Sequence, residues 1–150
     1  MSMRWKPHVT VAAVIEKNGQ FLMVEELIDG QIVINQPAGH LEPGESLTQA
    51  SIRETLEETA WQFQPEYLLG IYRWQHADQS TFLRFAFTGT NTIHDTSRQL
   101  DPAILQALWM DVDTIKSKKT CLRSPMVLLC IQDYLQGKRY PLDLLTSLDT

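Results

Sequence analysis

The sequence GHLEPGESLTQASIRETLEETA, residues 39–60, contains the strongest structural signal in this chain. Two prolines and two glycines fall within residues 37–44, and this density predicts a loop in which regular structure stops. The following residues contain neither glycine nor proline, and Ser46 with Gln49 three residues later fits a capping box. We therefore predict a helix that begins at Ser46 and runs to Ala60, directly behind the loop.

Three glutamates lie on one side of this predicted helix. At about 100° per residue, they fall within an arc of about 100°. They are Glu54, Glu57 and Glu58. The opposite side carries three apolar residues, which we expect to be the side that packs against the rest of the protein. These are Ile52, Leu56 and Ala60. By spacing alone, the acidic side is as readily a solvated surface as a functional site.

The placement of these carboxylates is unfavourable unless a cation lies nearby. Glu54 and Glu58 are like charges four residues apart, and Glu57 and Glu58 lie in the last turn, where the helix dipole favours cations. Arg53 can neutralise one carboxylate but not three. Mg²⁺ prefers hard oxygen ligands together with water and substrate phosphates, so it fits the remaining charge. Such an ion lowers the pKa of a bound water, and a further carboxylate can accept the proton during hydrolysis at phosphorus.

The longer pattern around the glutamates is more specific than their spacing. Its charged and glycine positions follow one another with gaps of five, seven and two residues. They are Gly39, Glu45, Arg53-Glu54 and Glu57-Glu58. This pattern resembles the Nudix box, GX5EX7REUXEEXGU, where U is a bulky apolar residue. Two positions depart from it, since Thr55 stands where a bulky apolar residue is usual and Ala60 replaces the final glycine. Alanine tolerates a left-handed helix end poorly, so the exit from the helix is expected to differ.

The resemblance implies the metal ligands of the site. Glu57 and Glu58 would be the main ligands of Mg²⁺, for which Mn²⁺ would substitute, and the carbonyl of Gly39 would be a further ligand. Glu54 would be either a ligand or the general base. In this family the glycine loop and the helix hold the metal ions and the diphosphate.

The resemblance also implies residues that complete the site. Arg53 would orient Glu54 through a charge-assisted hydrogen bond, and Glu45 would support the loop. Many members of the family recruit a distant carboxylate that precedes a tryptophan corresponding to Trp109. The residues directly before Trp109 are not acidic here, so the extra ligand is either Asp101 or absent.

Five stretches outside the charged box positions resemble a bacterial phosphatase branch of the same family. They are PHVTVA at 7–12, NQPAGHLE at 35–42, FLRF at 82–85, LRSP at 122–125 and RYPL at 139–142. This resemblance implies release of orthophosphate from nucleoside tri- and diphosphates, from thiamine diphosphate and from its hydroxymethylpyrimidine diphosphate precursor. An alternative is a pyrophosphohydrolase that releases a monophosphate from ADP-ribose, dinucleotides or other nucleoside diphosphate derivatives. A non-catalytic nucleotide sensor is less favoured, because the box glutamates are all present.

Four residues are candidate substrate contacts. They are Arg84, His40, Arg123 and Trp74. Three of them also have a simpler structural interpretation. Arg84 can face solvent from a strand, Trp74 can belong to the core, and Ser124 beside Arg123 can cap a helix without any ligand.

The remaining sequence predicts strands before and after the central helix. A β-branched run at 8–15 and an apolar run at 21–24 flank Lys17-Asn18-Gly19, which indicates a β-hairpin. Further strand signals and a weakly patterned loop follow, and the last helix begins with Ser124-Pro125. The strand signals lie at 32–34, 67–75, 81–88 and 105–110, the loop at 91–101 and the last helix at 124–136. We expect one α/β domain over residues 1–150, a Nudix-type α/β/α sandwich with a mixed central sheet.

Composition restricts the classes of partner. The chain has 150 residues, of which 43% are apolar, and a net charge of -5, which argues against binding of nucleic-acid polymers or anionic membranes. No signal sequence or long apolar run is visible, so a soluble cytoplasmic protein acting on a small diphosphate substrate is expected. Cys121 and Cys130 have no metal-ligand spacing and are expected to be reduced and structural. The oligomeric state does not follow from the sequence.

Overall fold

A computed structural model describes residues 3–149 of the chain. The longer strands are β1 (His8–Val14), β3 (Gln20–Ile28), β4 (Gln31–Asn35), β6 (Trp61–Gln75), β7 (Thr81–His94) and β8 (Ile104–Asp111). The short strands are β2 (Glu16–Lys17), β5 (Ala38–His40) and β9 (Tyr140–Pro141). The helices are α1 (Leu47–Thr59), α2 (Val112–Ser117) and α3 (Pro125–Leu135), with 3₁₀ turns at Lys119–Cys121 and Leu142–Leu144. Within this part of the chain, no helix is long and apolar enough to span a membrane.

The strands form two sheets. The first is a five-stranded mixed sheet in the order β5-β1-β7-β6-β9, in which β1 runs parallel to β7 and the other neighbours are antiparallel. The second is a four-stranded antiparallel sheet in which β3 pairs with β2, β4 and β8. The mixed sheet confirms the expected fold class, and the antiparallel sheet is an addition to it.

Hydrophobic clusters lie on both faces of β1. Val11 and Ala13 pack in one cluster with Ala50 of α1, whereas Val14 packs in the other with Ile115 of α2 and Val127 of α3. Alternate residues of a strand point to opposite faces, so an almost wholly apolar run such as β1 is suited to burial on both sides. The helices therefore cover opposite sides of the strands, which confirms the α/β/α sandwich.

The start of α1 follows from local sequence, whereas its end differs from the expectation. The hydroxyl of Ser46 accepts a hydrogen bond from the backbone N–H of Gln49 (3.1 Å), and the side chain of Gln49 accepts one from the backbone N–H of Ser46 (2.8 Å), which confirms the capping box. Ala60 adopts a left-handed conformation, with φ 62° and ψ 11°. The expected change in the helix exit is therefore wrong, because alanine occupies the conformation that glycine would have taken.

The side of α1 that packs against the protein differs from the expectation. Ile52 is exposed, whereas Glu54 and Glu58 are buried. The helix packs largely through small and hydroxyl side chains, and the hydroxyls of Thr55 and Thr59 donate to carbonyl oxygens one turn earlier, at 2.8 and 2.7 Å. Since these hydroxyls are satisfied within the helix, a partly polar face can be buried. Of the three apolar residues expected to pack, Ala60 is buried and Leu56 half-buried, so apolar patterning identified the packed side only in part.

Long-range pairing explains the other differences. The predicted loop at 37–44 contains β5, because this segment pairs with β1. Asn18 and Gly19 form the expected turn, but the turn joins β2 to β3, while β1 pairs in the other sheet. The strand β7 extends to His94, into the expected loop at 91–101. The short helix α2 was not anticipated, although Asp111 caps it through the N–H of Thr114.

Candidate active site

Helix α1 reaches the glycine loop through two of its glutamates. The carboxylate of Glu58 accepts a hydrogen bond from the backbone N–H of Ala38 (2.9 Å). Glu54 lies directly against Gly39, where any Cβ atom would overlap its carboxylate. Glycine at this position therefore leaves room for the Glu54 carboxylate, which any larger residue would displace.

Three carboxylates converge beside this contact. Glu54, Glu58 and Asp101 each place one oxygen within 4.8 Å of the others. Asp101 is held there because its backbone N–H donates to the carbonyl of Glu57 at the end of α1 (3.0 Å). We call these three residues the acidic cluster. The structure thus places Asp101 beside the box glutamates. The sequence had left open whether Asp101 or no further carboxylate joins them.

Burial dominates the electrostatics of the acidic cluster. Burial is the main cause that raises the pKa of Glu58 to about 9; the nearby Glu26, Glu54 and Asp101 act in the same direction, and a hydrogen bond from Ala38 opposes them. Burial also raises the pKa of Glu54 to about 7, although hydrogen bonding to Arg53 acts in the opposite direction. Buried carboxylates are costly to ionise unless a cation compensates them. Hard oxygen ligands in this number suit a divalent metal ion, so the residues present fit a metal site.

Arg53 links the loop to α1. Its guanidinium donates two hydrogen bonds to the carboxylate of Glu45, at 2.7 and 2.9 Å, and one to Glu54 at 2.8 Å. It also donates to the carbonyl of His40 (3.0 Å). The bond from Arg53 holds the pKa of Glu45 below its usual range, and Glu45 in turn raises the pKa of Arg53. The contacts expected of Arg53 with Glu54, and of Glu45 with the loop, are therefore present.

Glu57 stands apart from the acidic cluster. Its carboxylate accepts a hydrogen bond from Arg53 (3.2 Å), and its side chain is 29% exposed. The positive group that Glu57 contacts in the structure is thus the guanidinium of Arg53. Its role as a main metal ligand remains a prediction.

A cavity of about 430 Å³ adjoins the acidic cluster. Ala38 and Gly39, which contact Glu58 and Glu54, also line this cavity. All four candidate substrate contacts lie in its wall, namely His40, Trp74, Arg84 and Arg123. The structure therefore brings together residues that are up to 83 positions apart in the sequence, from His40 to Arg123.

Aromatic side chains form one wall of the cavity. Phe82 stacks on Trp74, with ring centroids 5.6 Å apart, and on His8, with centroids 4.8 Å apart. His8 lies 3.3 Å from the ring nitrogen of His40, and burial, with contributions from His8 and Arg123, lowers the pKa of His40. Phe82 and His8 are not among the residues predicted for the site, although both lie in the stretches that resemble the phosphatase branch.

Arg84 is buried, with 3% of its surface exposed. Its guanidinium donates to the side-chain oxygens of Gln36 (2.8 Å) and Asn35 (3.0 Å). The interpretation of Arg84 as a solvent-facing strand arginine is therefore wrong. Ser124 does cap α3, since its hydroxyl accepts from the N–H of Met126 (3.1 Å), and Arg123 lies exposed at the cavity.

Sequence reasoning missed several polar residues of this cavity. Asn35 and Glu26 line it, and Gln36 lies behind Arg84. Asn35 and Gln36 fall in the stretch NQPAGHLE, so the resemblance contained a signal for them. The sequence contained no such signal for Glu26, because Glu26 reaches the cavity only through the position of β3 in the second sheet.

Comparison with known proteins identifies the class. The NUDIX domain family model matches residues 5–128, and the chain belongs to the Nudix hydrolase family. Proteins named phosphatase NudJ are similar over most of their length. The one from Shigella boydii is 41% identical over 141 residues, which cover 94% of this chain and 92% of that protein, and the one from Escherichia coli is 40% identical with the same coverage.

A solved structure supports the fold independently. The NUDIX hydrolase from Nitrosomonas europaea is 52% identical, covers 95% of this chain and 98% of its own, and superposes with a TM-score of 0.93. The resemblance inferred from the box and the flanking stretches is thus confirmed for the family and for its phosphatase branch.

Proposed function

We propose that this Nudix hydrolase is a Mg²⁺-dependent phosphohydrolase that releases orthophosphate from nucleoside tri- and diphosphates. Thiamine diphosphate and its hydroxymethylpyrimidine diphosphate precursor are further substrates in this proposal. The observation that carries it is the acidic cluster of Glu54, Glu58 and Asp101, which opens beside a cavity at the glycine loop. The similarity to proteins named phosphatase NudJ supports the choice of orthophosphate as the product.

The acidic cluster would hold the metal ion, with Glu57 and the carbonyl of Gly39 as further ligands. When bound, Mg²⁺ neutralises charge on phosphoryl oxygens and lowers the pKa of a water. Manganese offers the same preference for oxygen ligands and would substitute for it.

The protein side chains around the ion have separate tasks. Arg53 fixes the Glu54 carboxylate through a 2.8 Å hydrogen bond and is itself fixed by Glu45. Glu54 is thereby placed either to ligate the ion or to accept a proton, and both roles require its ionised form, which Arg53 favours. The hydrogen bond from Ala38 orients Glu58 in the same way.

The cavity would take the organic part of the substrate. Its volume of about 430 Å³ lies in the range of small-molecule sites, and its aromatic wall and few buried polar groups are typical of them. The diphosphate would then lie at Ala38 and Gly39, where the cavity meets the acidic cluster.

Identification of the released product tests this proposal. Purified protein would be incubated with MgCl₂ and a panel of nucleoside tri- and diphosphates, thiamine diphosphate, ADP-ribose and dinucleotides. Orthophosphate release from the first three groups supports it. Monophosphate release from ADP-ribose or dinucleotides alone would establish the alternative, a pyrophosphohydrolase. Nucleotide binding by calorimetry without turnover over hours would indicate a sensor.

Variants connect the activity to the acidic cluster. Glu58→Gln and Glu57→Gln keep side-chain size and remove the charge, and Glu66→Gln is the matched control, because Glu66 is exposed on β6 away from the site. We expect the first two to lose most of kcat and the control to keep it. Full activity of Glu58→Gln would contradict the assignment of the site.

A further inference from the structure

Arg84 has hydrogen-bond donors that the protein does not use. A guanidinium group carries five N–H donors, and in residues 3–149 those of Arg84 reach Gln36, Asn35 and, at 4.0 Å, the sulfur of Cys130. Among these residues, the Nε of Arg84 is the one buried side-chain nitrogen or oxygen atom that has no hydrogen-bond partner. One N–H of Nη2 is also left over, because Asn35 accepts only one. Unsatisfied buried donors in a native structure call for an explanation, such as a ligand.

The charge of Arg84 is also uncompensated by direct contact. None of the ion pairs among the described residues includes Arg84. Buried arginines are ordinarily paired with a carboxylate or another strong acceptor. Since Arg84 lines the cavity, an oxygen atom of a bound molecule can supply the missing acceptor.

The guanidinium is held in a fixed position. Gln36, which accepts from Arg84, is 1% exposed, and its own amide donates to the carbonyl of Val127 in α3 (2.7 Å). Asn35 holds the second nitrogen from the end of β4. A donor group that is preorganised in this way loses little entropy when it binds a ligand.

The position of Arg84 relates it to the substrate. Thr10 of β1 is the pairing partner of both His40 on β5 and Arg84 on β7. Neighbouring strands lie about 4.8 Å apart, so the backbone of Arg84 is about 10 Å from the glycine loop. The guanidinium itself contacts Asn35 and Gln36, just before the glycine loop, so it can meet either the diphosphate or the group attached to it.

The cavity does not favour a second anion at this place. Its carboxylates outnumber its arginines, since Glu26, Asp29 and Asp78 line it together with Arg84 and Arg123. A neutral oxygen acceptor takes the free N–H groups without meeting this negative charge. The aromatic wall of Trp74 and Phe82 is suited to a flat ring that carries such an oxygen.

We infer that Arg84 determines specificity by donating hydrogen bonds to a carbonyl oxygen on the ring of the substrate. This inference rests on the proposed function. It predicts that nucleotides whose base has an oxo group are preferred to those with an amino group at the same position. Thiamine diphosphate, whose aminopyrimidine ring carries no carbonyl, is then a weaker substrate than the oxo nucleotides.

Two substrate pairs test the inference in the wild-type protein. Inosine and adenosine diphosphates differ in an oxo and an amino group on the purine, and uridine and cytidine diphosphates differ likewise on the pyrimidine. A hydrogen bond from a charged donor supports a preference of about 10-fold or more in kcat/KM for the oxo member. We expect the difference mainly in KM, because the inferred contact is to the ring and not to the reacting phosphate. Equal kcat/KM within both pairs would overturn the inference.

Variants separate recognition from a structural role. Arg84→Gln removes the charge, Arg84→Lys keeps it but loses the planar fork, and Arg73→Gln is the matched control, because Arg73 is exposed on the neighbouring strand β6. We expect Arg84→Gln to abolish the oxo preference, Arg84→Lys to reduce it and the control to retain it. A purely structural Arg84 would lower activity on all four substrates equally, and this result would overturn the inference.

A binding measurement keeps the test independent of catalysis. Calorimetry with inosine and adenosine monophosphates needs no hydrolysis, and wild type should bind the inosine compound more tightly, whereas Arg84→Gln should bind both alike. This difference can be present even when no phosphate is released, so failure of the proposed function is distinguishable from failure of the inference. If inorganic phosphate binding depends on Arg84 while the two monophosphates bind equally, the site is an anion site and the inference is wrong.

Discussion

At the scale of single residues, the site depends on one close contact and on buried charge. Gly39 leaves room for the Glu54 carboxylate, and the backbone N–H of Ala38 binds Glu58. The sequence predicted these glycine and glutamate positions through their spacing. It did not predict that the glutamates are buried, because an acidic helix face is usually solvated.

A methyl group at Gly39 would displace Glu54. We expect Gly39→Ala to lower kcat by at least about 100-fold, in line with the effect of misplacing a catalytic group. Steady-state phosphate release measures the change. Gly19→Ala is the control, because Gly19 has a positive φ of 79° but open space around it. The control should lose stability and keep kcat, and a Gly39→Ala protein with wild-type kcat would contradict the contact.

The raised pKa of Glu58 predicts a pH dependence of the metal-free protein. In the unfolded chain this carboxyl ionises near its ordinary pKa of 4.5, whereas in the folded state its pKa is about 9. Between these values the native state holds a proton that the unfolded state has released, so the free energy of unfolding falls as pH rises. Glu58→Gln removes this slope. In denaturant titrations in EDTA from pH 5 to pH 9, the free energy of unfolding of the variant should therefore rise relative to that of wild type as the pH rises. A difference that stays constant with pH would contradict the raised pKa of Glu58.

At the scale of elements, α1 shows what local sequence can specify. Its capping box and its end at Ala60 follow from residues within a few positions of each other. Its packed side does not, because Thr55 and Thr59 satisfy their hydroxyls within the helix and can be buried while Ile52 is exposed. The departure from the box at Thr55 is thus compatible with a buried position.

The left-handed alanine at the end of α1 is a strained position. A left-handed conformation costs about 1–2 kcal/mol for a residue with a Cβ, while removal of the buried methyl group costs about 0.8 kcal/mol. We expect Ala60→Gly to raise the free energy of unfolding by about 0.5 kcal/mol. Chemical denaturation measures it, and Ala77→Gly in the exposed turn after β6 is the control, which should be slightly destabilised. Equal losses in both variants would argue against strain at Ala60.

At the scale of the whole molecule, the proposed metal site would link metal binding to folding. The acidic cluster joins α1 to Asp101, which precedes β8, so an ion bound there would stabilise contacts between distant segments. An ion that binds only the folded state raises the free energy of unfolding by mass action. Binding requires ionised carboxylates, and Glu54 and Glu58 have raised pKa values of about 7 and about 9.

Stabilisation by magnesium should therefore increase with pH. We expect MgCl₂ to raise the melting temperature more at pH 8 than at pH 6, because fewer protons must be displaced at the higher pH. Differential scanning fluorimetry with and without MgCl₂ measures this difference. Glu58→Gln should show little response at either pH, whereas Glu66→Gln should respond like wild type. A larger effect at pH 6 than at pH 8 would contradict the linkage.

The sequence by itself determined the family, the extent of α1, its N-terminal capping box and the positions of the box glutamates, Arg53 and Gly39. These features depend on spacing and on hydrogen bonds between residues close in the chain, which a single helix already specifies. Only the tertiary structure decided that Asp101 joins Glu54 and Glu58, that β1 and β3 enter different sheets, and that Arg84 lies buried in a cavity. The physical reason is that these features depend on strand pairing and burial between distant segments, where the free energy comes from the packing of the whole fold and not from any local pattern.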